Sequence, residues 1–167
     1  ANIPGPRKIV WFADGTWNDP CDHTNISQLF QHLQKSTQIF AQYDEGVGNG
    51  SWFEQLIGGL SGKGLDTNVI EAYDFIRKHV LSETDKVFLF GFSRGAYTVR
   101  TLAGFINFVG IVPMCKNVKT EDLYEAYKDK QLSAIPPLKS WRQNFKVWFM
   151  GVFDTVGALG IPMPLLL

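Results

Sequence analysis

Short apolar runs alternate along this chain with stretches in which apolar residues recur every three or four positions. Lys8 to Phe12 is β-branched and aromatic and stops at Asp14-Gly15-Thr16, the pattern of a buried strand ending in a turn. A loop with Pro20 follows. Thr24 or Asn25 can then cap a helix running to about Lys35, with Ile26, Leu29, Phe30 and Leu33 on one face. Thr37 to Tyr43 reads as a second strand.

Asp44 to Gly64 is rich in glycine and reads as a loop, with room for a short helix around Trp52, Phe53, Leu56 and Ile57; so long an irregular stretch suggests a functional rim. Asp66 caps a further helix with Val69, Tyr73, Ile76 and Val80 at helical spacing. Lys86 to Phe90 is apolar without alternation, as expected of a central strand covered on both faces. Ala96, Val99, Leu102, Ala103 and Ile106 mark a helix, Glu121 to Lys130 another before Pro136-Pro137, and Phe145 to Met150 a last strand. This order predicts an α/β fold with a mainly parallel sheet and helices on both faces.

Composition narrows the function. The 167 residues fit one domain, and 45% apolar content with thirteen Phe and five Trp describes a packed core rather than disorder. Sixteen basic residues balance sixteen acidic ones, so there is no net field to gather nucleic acid. Cys21 and Cys115 lack CxxC spacing and read as separate thiols, not as a disulfide framework or zinc site. No apolar run reaches the roughly 18 residues of a membrane span. The start Ala1-Asn2-Ile3-Pro4-Gly5-Pro6 has no signal-peptide pattern, which points to a soluble chain, cytoplasmic or exported without a signal, or already processed. Asn25-Ile26-Ser27 and Asn49-Gly50-Ser51 match the glycosylation sequon, a pattern too short to weigh.

The chemistry centres on Gly91-Phe92-Ser93-Arg94-Gly95, which matches G-x-S-x-G directly after a strand and directly before a helix. An attacking serine in that setting needs a sharp, strained turn, and only small neighbours allow strand and helix to close on each other. Gly91, Gly95 and Ala96 meet that need. The Arg94 N–H would face a substrate oxyanion at the helix start. A second donor is expected from Gly15 or Thr16, if the first strand neighbours the Ser93 strand; the plainer reading makes Asp14 a turn carboxylate and Ser93 a helix cap.

Asp154, in Gly151-Val152-Phe153-Asp154-Thr155, stands just past the last strand, where such sheets present catalytic groups; it is the candidate triad acid, or else a structural cap. The expected chain order is serine, acid, histidine, yet His23, His32 and His79 all precede Ser93. His32 and His79 fall in helix patterns and read as surface residues, while His23 lies in the loop after Asp14. The apolar end Pro164-Leu165-Leu166-Leu167 reads as a poor terminus for a soluble domain, so a C-terminally incomplete domain is expected, with the base beyond it.

Five blocks in matching order carry a resemblance: Phe12-Ala13-Asp14-Gly15-Thr16-Trp17-Asn18, Tyr43-Asp44-Glu45-Gly46-Val47-Gly48, Gly64-Leu65-Asp66-Thr67-Asn68, Gly91-Phe92-Ser93-Arg94-Gly95-Ala96-Tyr97 and Gly151-Val152-Phe153-Asp154-Thr155-Val156-Gly157-Ala158. Together they resemble an uncharacterised α/β-hydrolase family that includes the phospholipase effectors of bacterial type VI secretion and many fungal proteins. The resemblance runs from about Lys8 to Pro162. It implies a serine esterase acting on lipid or another ester, with peripheral membrane contact, no cofactor and no metal. Ser93 maps to the nucleophile, Asp154 falls in a motif near the site, and the family's chain continues to a histidine absent here.

Two rivals remain in view. Gly58-Gly59-Leu60-Ser61-Gly62-Lys63-Gly64 approaches a phosphate loop, but G-x-x-x-x-G-K-[ST] would need glycine at Ile57 and a hydroxyl at Gly64. The other is a non-catalytic binding module that keeps the fold and pocket without a base.

Overall fold

The computed structural model describes residues 5–15, 18, 20–45, 63–131, 145 and 147–155. Four strands form one sheet, β1 (Lys8–Ala13), β2 (Ile39–Asp44), β3 (Lys86–Phe92) and β4 (Val147–Phe153), in the order β2-β1-β3-β4 with every pair parallel. Between them run α1 (Asn25–Gln31), α2 (Lys63–His79), α3 (Arg94–Val109) and α4 (Thr120–Lys128). The parallel α/β architecture read from the sequence is the one observed.

Side-chain alternation divides β1 and β3 between two cores. Ile9, Trp11, Ala13, Val87 and Leu89 pack with Val69, Tyr73 and Ile76 of α2, Val99, Leu102 and Phe105 of α3 and Leu123 of α4. On the other face Val10 and Phe12 pack with Ile26 and Phe30 of α1 and with Tyr43, Phe88, Phe90 and Phe92. Helices therefore cover both faces, which explains why β1 is buried along nearly its whole length. Much of the aromatic content lies here: Phe12 stacks on Phe90 at 5.2 Å and meets Phe30 edge-on at 5.5 Å, while Tyr73 lies 4.5 Å from Phe105.

Several boundaries differ from the sequence expectation. Helix α1 stops at Gln31 rather than near Lys35; His32 closes it, its N–H making the last helical bond to the Gln28 carbonyl. Its inward face is Ile26 and Phe30, with Leu33 packing on the same cluster just past its end; Leu29 is 41% exposed. Helix α2 begins at Lys63, so Asp66 sits in its first turn, where a carboxylate suits the dipole, instead of capping it. Strand β4 starts at Val147 and continues past Met150 to Phe153, and Trp148 and Phe149 are exposed. The expected loop from Asp44 to Gly64 is shorter at both ends, since Asp44 closes β2 and Lys63 and Gly64, the end of the phosphate-loop likeness, open α2; residues 46–62, with the expected short helix, lie outside the described residues.

Arg77 secures the connection from α3 to α4. It is 4% exposed and donates to the carbonyls of Val112 (3.1 Å), Val118 (3.0 Å) and Pro113 (3.4 Å) and to Thr120 Oγ1 (2.8 Å). Apolar replacement would leave these acceptors buried without a donor. Arg77→Leu should therefore lower unfolding free energy by about 3 kcal/mol, read as a fall in the urea midpoint; an unchanged midpoint would contradict the role.

Candidate active site

Ser93 occupies the single residue between β3 and α3, at the carboxyl edge of the sheet. Its backbone lies at φ 53° and ψ −113°, a region that non-glycine residues avoid. Its N–H donates to the Phe153 carbonyl at 3.0 Å, tying the turn to the end of β4. Although Ser93 stands at the cap position of α3, its hydroxyl makes no capping hydrogen bond, so the plain helix-cap reading does not describe it.

The flanking glycines are required by contact. A Cβ on Gly91 would lie 2.4 Å from the Gly95 carbonyl oxygen and 2.6 Å from the Ala96 nitrogen. On Gly95 it would lie 2.0 Å from the Ala13 oxygen and 2.7 Å from the Asp14 oxygen. These are backbone atoms that cannot rotate away, so β3, α3 and the end of β1 close around this turn only with hydrogen at both positions.

The same contacts bring the first loop to the site. Gly15 packs beside the Phe92 ring, 3.0 Å from where its Cβ would stand. The Gly15 N–H donates to Asp14 Oδ1 at 2.8 Å, so this amide is engaged by its own neighbour. Thr16, the other expected oxyanion donor, lies outside the described residues. Arg94 opens α3, where the positive end of the helix dipole lies.

Asp154 follows Phe153 directly, just past the end of β4, the strand paired with β3, and is exposed with φ 41°. The sequence expectation that an acid stands at the end of the last strand matches this position, and the longer β4 brings it level with the turn. The histidines are distributed otherwise. His79 is half-buried, not a surface residue: its ring lies 4.8 Å from Phe40 and 4.4 Å from Phe75, near the start of β2 and thus at the opposite edge of the sheet. His32 is exposed at the end of α1 with Nδ1 2.8 Å from the Gln28 carbonyl. His23 is exposed on the loop that follows β1.

Sequence reasoning missed a buried charged side chain in the turn motif itself. The Arg94 side chain is 4% exposed, and burial pulls its guanidinium below its ordinary range while nearby Asp44 opposes the shift. Burial pushes the Asp44 carboxyl up to about 6, reinforced by Glu71 and Glu45 and opposed by Arg94 and by the hydrogen bond from Asn68 Nδ2 (3.2 Å). Both residues lie in motif blocks, so the signal was present; that the blocks meet was not. Among the described residues no group of three or more His, Cys, Asp or Glu could hold a metal ion.

Residues 7–167 match the family described as the type VI secretion phospholipase effector Tle1-like catalytic domain. The chain belongs to this family. A relative of the Tle1-like domain here is the uncharacterized protein YEL023C of Saccharomyces cerevisiae, 26% identical over 187 aligned residues. That alignment covers 93% of this chain and 27% of the yeast protein, so the chain spans about a quarter of its relative's length. Among solved structures, Zea mays acyl-protein thioesterase 2 aligns over 95% of this chain and 88% of its own at 15% identity, with a TM-score of 0.35.

Ser93→Gly relieves the positive φ whereas Ser93→Ala keeps it, so the glycine variant should be the more stable of the two by about 1–2 kcal/mol in urea unfolding; equal midpoints would contradict the strain. The folded chain holds the Asp44 proton up to about pH 6 and the unfolded chain releases it near 3.8, so this group lowers stability as pH rises between those values. Asp44→Asn removes that loss. Its stability relative to the parent should grow by on the order of 2 kcal/mol from pH 4 to 7, measured by urea unfolding at each pH; a constant difference would contradict it.

Proposed function

We propose that this domain is a serine hydrolase of carboxylic esters, with Ser93 as nucleophile and phospholipid acyl esters as its substrate class. The observation that carries this reading is the backbone of Ser93: a serine at positive φ, between a parallel strand and a helix, with glycines fitted against backbone on both sides. Strain of this kind persists where the surroundings over-determine it, and it aims the hydroxyl away from the sheet. Membership in a family of phospholipase effector catalytic domains supports lipid as substrate.

In this reading a base removes the Ser93 proton as Oγ attacks the ester carbonyl. The negative charge that develops on the carbonyl oxygen is met by the Arg94 N–H and by a donor from the first loop, for which Thr16 is the better candidate because Gly15 already serves Asp14. Collapse expels the alcohol, and water then releases the acid. Asp154, one strand over, orients the histidine and stabilises it when protonated. The three histidines of this chain occupy the far edge, the end of α1 and an exposed loop, which supports a histidine outside these 167 residues as the base.

Hydrolysis of a phosphatidylcholine vesicle and of a short-chain nitrophenyl ester tests the assignment in the full natural chain. Ser93→Ala should abolish turnover of both, and Asp154→Asn should lower kcat by about 10³–10⁴-fold. The 167-residue chain alone should be nearly silent. Ser93-dependent turnover at full rate by that shorter chain would overturn the external base and point to His23; binding of ester without any turnover in the full chain would favour a non-catalytic module.

A further inference from the structure

Asp14 is 3% exposed, and its carboxylate is held by donors from three parts of the fold. Oδ1 accepts the Gly15 N–H at 2.8 Å, while Oδ2 accepts the Thr24 hydroxyl at 2.5 Å and the Tyr43 hydroxyl at 2.6 Å. Thr24 is itself the cap of α1, taking the Ser27 N–H at 3.0 Å on the same hydroxyl oxygen. Tyr43 belongs to β2, and its ring lies 5.4 Å from Phe30 of α1. The backbone of Asp14 is fixed as well, its N–H donating to the Asp44 carbonyl at 3.0 Å. One carboxylate thus joins β1, β2, the start of α1 and the first residue of the loop.

What this junction holds still is the segment that touches the serine turn. The Ala13 carbonyl and the Asp14 carbonyl oxygen crowd the place where a Gly95 side chain would stand, and Gly15 lies against Phe92. A buried carboxylate is a poor device for stability alone, since apolar packing of similar volume does as well without desolvating a charge. A carboxylate does, however, fix the direction of several donors at once.

The geometry points to Asp14 as a positioning residue for hydrolysis at Ser93, a role that rests on the reading of Ser93 as nucleophile. Its carboxylate sets the orientation of the loop flanking the turn, so that the substrate carbonyl meets the Arg94 amide and the loop in a single arrangement. Asp14 touches neither substrate nor the reacting atoms. It acts through the backbone of Gly15 and through the contact of residues 13–15 with the turn, and its removal should slow the chemical step rather than weaken substrate capture.

The test compares Asp14→Ala, Asp14→Asn and Tyr43→Phe in the full natural chain, with kcat and KM on a short-chain nitrophenyl ester normalised to the folded fraction. Asp14→Ala should lower kcat by about 10- to 100-fold with KM within about twofold, as expected when a reacting geometry is loosened. Asn keeps an acceptor for Gly15 and can donate to the Thr24 and Tyr43 hydroxyls, which both accept; it should recover kcat to within about fivefold of the parent. Tyr43→Phe removes one of the three donors and should cost about three- to tenfold in kcat. A folded Asp14→Ala with parental kcat, or one altered only in KM, would overturn the role. If Asp14→Ala does not fold, parental kcat in Tyr43→Phe overturns it instead. Turnover that survives Ser93→Ala would remove the Ser93 reading and this role with it, whereas graded loss of kcat in the Asp14 and Tyr43 variants, with parental turnover abolished by Ser93→Ala, supports both.

Discussion

The carboxyl edge of this sheet depends on a steric constraint: three backbone segments meet at one turn with no room for a side chain between them. The Gly95 position faces the Ala13 and Asp14 carbonyl oxygens, and the Gly91 position faces the Gly95 carbonyl and the Ala96 nitrogen. Closure at that distance lets α3 begin immediately after β3, and the immediate start forces Ser93 to positive φ. The parallel register then carries the end of β4 alongside, where the Phe153 carbonyl takes the Ser93 N–H. The strain at one residue is held by packing that belongs to the whole sheet.

Charge gathers around that turn. The Asp14 carboxylate at the start of the first loop accepts three hydrogen bonds, and Asp44 and the Arg94 side chain attract each other nearby, each moved from its ordinary proton affinity by burial. Buried polar groups of this kind fix orientation at a cost in desolvation. Their gathering at one edge contrasts with the opposite edge, where Asp85 takes the N–H groups of Arg7, Leu81 and Ser82 and simply anchors strand starts.

What the sequence revealed followed how local each constraint is. The serine turn was legible because its demands fall within five residues, Gly91 to Gly95. The sheet was legible because β1, past Lys8, is buried on both faces and β3, past Lys86, is covered on both, so each runs apolar without a polar alternation. The expected last strand ended at Met150, whereas Gly151 sits inside β4 opposite Phe90, whose ring stands 2.9 Å from where a Cβ would be, so the glycine admits a neighbouring ring and does not end the strand. The end of α1 escaped because Leu33 continues the apolar period while the chain must already turn toward β2. The Asp14 junction joins residues 14, 24 and 43, and a single sequence cannot show that these meet.

Hydrolysis at this edge requires Ser93 to be an activated nucleophile and not merely a strained residue. The most direct measurement is mass spectrometry of the full natural chain after brief exposure to a fluorophosphonate, with the modified residue mapped by peptide sequencing. One adduct per chain on Ser93, formed quickly by the folded protein and absent after urea unfolding, is the predicted result. No adduct, or an adduct on another residue while Ser93 stays unmodified, would contradict the account.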